Sequence, residues 1–161
     1  PAQDLKRSLT ERLAELTQAF LLGYHRLKRE AEKYNIRVYA GAELRFDGSD
    51  NDYLLYGFHD ELLADPDRVM REGLAAFAPQ YRADGALLVQ AHPFRKKCTP
   101  APAEYLDGIE VLNLNPRHDS HNDLALAYAK EHHLIMTAGS DCHRPGDQGT
   151  TGILSDTLPE D

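Results

Sequence analysis

Five short apolar runs, separated by stretches of helical periodicity, constrain this chain more than any other feature. They lie at residues 36–44 (IRVYAGAEL), 53–58 (YLLYGF), 86–91 (ALLVQA), 108–112 (GIEVL) and 134–138 (LIMTA). Each has the length of a strand. YLLYGF is apolar almost throughout, as in a strand covered on both faces. Between and before these runs, apolar residues recur at three- and four-residue spacing. Leu5, Leu9, Leu13, Leu16, Phe20, Tyr24, Leu27 and Ala31 mark one long helix over residues 4–34, with Gly23 as a candidate break and Asn35 as its left-handed stop. Asp65 and Pro66 open a second helix that runs to about Tyr81. A third covers residues 120–133, and a short helical turn is expected at 103–106.

Alternation of strand and helix through short links predicts an α/β fold of parallel strands joined by right-handed crossovers. The pattern is compatible with an open sheet or with part of a barrel. Residues 47–52 (DGSDND) form a turn cluster. The tail GILSDTLPED holds one more short strand and frays over residues 155–161. The 161 residues suit a single domain over 1–161.

Composition narrows the function. A formal net charge of −8 gives no overall field for nucleic-acid phosphates, so an anionic substrate needs a metal or a few placed cations. No apolar run reaches the roughly 18 residues of a membrane span. The start, PAQDLKRS, has no apolar signal region and no methionine, which suggests a processed, tagged or incomplete chain. Two cysteines, Cys98 and Cys142, make neither a disulfide framework nor a thiolate zinc site. The expected compartment is the reducing cytoplasm.

The polar residues fall at informative places. Glu43 ends the first run, His92 follows the third, and Asp141 and His143 lie just past the fifth. Active sites of parallel α/β sheets and barrels form at the C-terminal ends of strands. Three separate strands thus deliver carboxylates and imidazoles to one side. Such donors suit zinc, manganese or iron better than calcium. Taken singly, each residue has an ordinary structural explanation; only their joint placement points to a metal.

At these residues the chain resembles the PHP (polymerase and histidinol phosphatase) family of metal-dependent phosphoesterases. The matching motifs are GAEL at 41–44, HPFR at 92–95, GIEVLNLNPRH at 108–118 and GSDCH at 139–143, with NDYLLYGF at 51–58 similar to the strand after the glutamate motif. The resemblance implies a distorted (β/α)7 barrel with up to three divalent metals at its mouth, where a metal-activated water hydrolyses a phosphate ester. It implies Glu43 as the bridging carboxylate, His92 and His118 as ligands of a third metal, Asp141 of a first and His143 of a second. His121 is the rival to His118. The family's opening His-x-His strand and its next histidine motif have no counterpart here. The barrel is therefore expected to be partial, lacking its first strands, and to hold at most one metal well. A homo-oligomer would cover the open side.

Arg95 is the first candidate for gripping substrate phosphate, through a bidentate guanidinium, with Arg117 and Arg144 behind it. Lys96 and Lys97 read as a solvated pair. Cys142 is expected to face the core. The implied partner is a small phosphorylated substrate, with nucleic acid only as a substrate end. Two other readings stand beside the phosphoesterase: a catalytically degenerate metal-binding or regulatory module, and an amidohydrolase-like hydrolase.

Overall fold

The computed structural model describes residue 19 and residues 21–157. Helix α1 covers residues 21–31 and passes through Gly23 without a break. A 3-10 turn, Glu32–Tyr34, carries it to Asn35, which adopts φ 55° and caps the end as expected. The rest of the long helix expected from residue 4 lies outside the described residues.

Strands β1 (Gly41–Leu44), β2 (Tyr53–Tyr56), β3 (Leu87–Gln90), β4 (Gly108–Asn113) and β5 (Ile135–Gly139) form one sheet in that order. All five correspond to the apolar runs, but the expectation of parallel strands throughout is corrected. β1 pairs antiparallel with β2, and β2 antiparallel with β3; only β3–β4 and β4–β5 are parallel. The link over residues 45–52 is too short for a crossover, which needs about a dozen residues or more, so β2 must double back. Because β2 is reversed on both sides, β1 keeps the same sense as β3, β4 and β5. The C-terminal ends of those four and the N-terminal end of β2 therefore share one rim of the sheet.

The helix expected from Asp65 to Tyr81 is two helices. Asp65 accepts from the Arg68 N–H at 3.0 Å and starts α2 (Pro66–Glu72). Gly73, at φ 81°, turns the chain into α3 (Leu74–Asp84). α4 (Asn122–Glu131) packs on β4 with Ala125 and Ala129 fully buried. The expected turn at 103–106 is a 3-10 turn, Ala103–Tyr105. Residues 151–157 form no strand. No helix among the described residues is long and apolar enough to cross a membrane.

The core lies on one face of the sheet. Ala42, Leu55 and Leu88 stand opposite one another across three strands and are buried against Val69, Phe77 and Tyr81 of α2 and α3. Each large apolar side chain removed from water contributes about 1.5–3 kcal/mol. Phe77 bridges Phe46 and Tyr81 at centroid separations of 5.8 and 5.9 Å. The next row, Glu43 opposite Leu54, points to the other face, since side chains alternate along a strand. That second face, at the shared rim, carries the polar residues.

Candidate metal centre

Strand register assembles the site. Past the Tyr53–Gln90 pair, the β2–β3 ladder continues through the Ala91 N–H donating to the Asp52 carbonyl at 3.0 Å. This brings His92 beside Asp52, with Nε2 3.6 Å from Oδ2. Glu43 reaches the same place from β1. One ligand atom each from Glu43, Asp52 and His92 lies within 4.8 Å of the other two, the one such group of His, Cys, Asp and Glu among the described residues. Two carboxylates and an imidazole at that spacing fit a divalent cation of the zinc, manganese or iron kind.

A cleft of ≈ 290 Å³ opens here, lined by Glu43, His92, Glu110, Asp141, Cys142 and His143 among others. The side chains predicted to converge from three strands thus do so. Asp141 and His92 both have left-handed backbones, at φ 48° and 29°. Such conformations cost about 1–3 kcal/mol each in non-glycine residues and concentrate where function fixes a side chain.

A buried network holds His92 in its turn. Glu110, 3% exposed, accepts from the His92 N–H at 3.0 Å and from the Asn113 amide at 2.9 Å. Its other oxygen lies only 2.5 Å from where a Cβ on Gly139 would stand, so a larger residue there would push the carboxylate aside. Asn113 Oδ1 in turn receives Arg95 Nη2 at 3.0 Å and the Asn115 N–H at 3.1 Å. The β4–β5 register shifts between Glu110 and Leu112, a bulge of the kind that re-aims side chains beside active sites.

Electrostatics follow from crowding acids into a half-enclosed space. Glu43 is exposed at the cleft mouth, yet partial burial of its carboxyl raises it above its usual range, and the neighbouring Asp52 and Asp141 charges add to the shift. Burial likewise raises Glu110. Burial lowers His92, helped by the Arg95 charge, so it favours the neutral imidazole that a metal requires. Burial alone would raise Asp141, but the hydrogen bond and charge from Arg95 prevail and lower it.

The other predicted residues are placed as follows. His143 is exposed, its Nδ1 3.1 Å from Asp141 Oδ1 and 2.9 Å from the Asp141 carbonyl. His118 is exposed in the turn after β4 and is not among the side chains lining the cleft. Its rival His121 is exposed just before α4, 3.5 Å from Asp119. Arg95 donates to Asp141 at 2.6 Å. Arg117 forms two bonds to Asp147, at 2.6 and 3.1 Å, and the same aspartate accepts the His143 and Arg144 N–H groups. The Arg144 side chain is exposed, as are Lys96 and Lys97. Cys142 is exposed at the cleft instead of facing the core, because the chain leaves the sheet after Gly139.

Asp52, Glu110 and Asn113 were not anticipated. Asp52 precedes its strand, whereas the strand-end pattern marks only residues that follow one. The short 45–52 link was the available signal, since a hairpin puts the start of β2 beside the end of β1. Glu110 is a charge inside an apolar strand, a pattern that itself asks for a buried partner.

The family model described as PHP-associated matches residues 119–151, the segment that holds α4, β5, Asp141 and His143. Among solved structures, the fold resembles a "putative metal-dependent phosphoesterase" from Bifidobacterium adolescentis, with a TM-score of 0.54 and 16% sequence identity, over 96% of this chain and 87% of that one. At that identity the likeness concerns the fold. No curated protein matches the chain significantly. The family match over that segment and the likeness of fold both agree with the motif resemblance to the PHP family.

Proposed function

We propose that the protein is a metal-dependent phosphoesterase whose cation is held by Glu43, Asp52 and His92, with Asp141 and His143 facing it across the cleft. The observation that carries this reading is the approach of three donor atoms, from β1, the start of β2 and the end of β3, to within 4.8 Å of one another. A divalent cation held by these three residues would supply Lewis acidity towards phosphate oxygens and make a water nucleophile available near neutral pH. The chain's own residues supply the rest. Glu110 and Asn113 keep His92 and Arg95 in place. His92 presents a neutral ring. Arg95 and Arg144 offer guanidinium groups to a phosphate, Arg95 only after it leaves Asp141. Arg117 secures the Asp141–His143 loop through Asp147.

The substrate is a small phosphorylated compound or a nucleic-acid end, and the compartment the cytoplasm. The sheet is part of a distorted (β/α)7 barrel, and a second copy covers its open side. Ile135 and Met136 on edge strand β5, 51% and 41% exposed, are suited to such cover.

One observation favours the catalytically degenerate alternative. Arg95 already satisfies Asp141, so a cation needing that carboxylate meets a competitor. Metal analysis of the purified protein, with p-nitrophenyl phosphate hydrolysis in the presence and absence of manganese, separates the readings. The phosphoesterase shows manganese-dependent turnover that Glu43→Ala and His92→Ala abolish. The degenerate module takes up metal without turnover.

A further inference from the structure

We infer that Arg45 is an anion-binding residue beside this metal site, stored on Asp52 and released to a phosphate group when a cation takes that carboxylate. The inference rests on the metal site proposed above and names a residue that neither the motifs nor the family match singles out.

Alternation past the end of β1 puts Arg45 on the side of Glu43, while Ala42, Leu44 and Phe46 go into the core. Its guanidinium meets Asp52 in a two-bond fork, Nε to Oδ1 at 2.6 Å and Nη2 to Oδ2 at 2.7 Å. Asp52 Oδ2 is also the oxygen that faces His92 Nε2 at 3.6 Å. Arg45 therefore covers the carboxylate a cation needs, and the two positive charges repel if both stay. The partners differ in freedom: the Asp52 side chain is 12% exposed, whereas that of Arg45 is 58% exposed. Asp52 is enclosed, and the arginine has solvent beside it to turn into. Once displaced, the guanidinium stands at the rim with a planar donor fork beside a cation, an arrangement that suits a phosphate oxyanion. Asp141 and Arg95 repeat the pairing across the cleft at 2.6 Å, but that arginine is only 15% exposed and is tied to Asn113 as well. Arg45 is the one built to move.

The test uses Mn2+ and inorganic phosphate as probes, read by calorimetry on the full chain. Arg45→Gln tightens Mn2+ by about fivefold, because a competing charge is gone, and weakens phosphate on the manganese-loaded protein by about fivefold. Arg45→Lys, which keeps the charge without the fork, binds Mn2+ like the wild type and phosphate more weakly. Opposite signs for the two ligands are the signature. Weaker or unchanged Mn2+ binding in Arg45→Gln overturns the proposal, since Arg45 would then only orient Asp52; so does unchanged phosphate affinity. Failure of the wild type to take up Mn2+ at all overturns the metal site itself.

Discussion

Asp52 and His92 face each other at 3.6 Å, Oδ2 to Nε2, because β2 runs antiparallel to β3 and starts where β3 ends. That reversal turns a set of strand-end residues into a donor triad. Glu43 alone from β1 would leave His92 with one carboxylate; the hairpin adds the second.

The triad assigns Asp52 a direct role. Asp52→Asn keeps the size of the side chain but removes its charge, and it also frees Arg45. Metal affinity measured by calorimetry should fall by tenfold or more, estimated as about the size of losses at supporting metal-site residues or larger. Leu54→Ala, a neighbouring cleft residue with no donor atom, should leave it within about twofold by the same standard.

Glu110 acts on the metal through His92. Its carboxylate restrains the backbone of His92 at φ 29°. Glu110→Leu keeps the bulk but removes Oε2, the single oxygen that accepts from both the His92 and Asn113 N–H groups. The expected loss in metal affinity is about ten- to a hundredfold. Circular dichroism of the variant should still show the wild-type fold.

Gly139→Ala tests the same network from the opposite side. The added methyl would approach Glu110 Oε1 to 2.5 Å. A destabilisation of about 1–3 kcal/mol is expected from overpacking in chemical denaturation, with metal binding weakened as Glu110 is pushed from His92.

Asp147 yields a prediction in pH. The Arg117 hydrogen bonds, joined by the His143 and Arg144 N–H groups, hold its carboxyl well below the usual aspartate range. A carboxyl depressed in the folded state contributes stability above its unfolded value, and that contribution is lost as the pH falls through the lower folded one. The 141–147 loop should therefore stay ordered through the range near pH 3.8, where an unpaired aspartate is already half protonated. Carboxyl NMR titration should place the Asp147 midpoint below 3.8, and Arg117→Met should move it up towards that value.

Much of this was legible before any coordinates. Glu43, His92, Asp141 and His143 reach one cleft as their strand-end positions required, and the Asn35 and Asp65 caps sit where their side-chain chemistry put them. What escaped depends on pairing at a distance. Strand direction is not encoded in the apolar runs themselves, so nothing in them marks β2 as reversed or puts Asp52, at its start, beside the end of β3. Arg117 looked available for phosphate because nothing local reveals Asp147 as its partner. Gly73 splits a helix whose periodicity continues across it, since only a backbone at φ 81° reveals the break. His118, carried over by motif, lies on an exposed turn that the register of β4 does not bring to the cleft.

Anomalous diffraction from zinc-soaked crystals addresses the central claim most directly. The expected peak lies about 2.0–2.2 Å from a carboxylate oxygen of Glu43, one of Asp52 and the Nε2 of His92, with Arg45 turned away. A peak elsewhere, with Arg45 still seated on Asp52, would contradict the account.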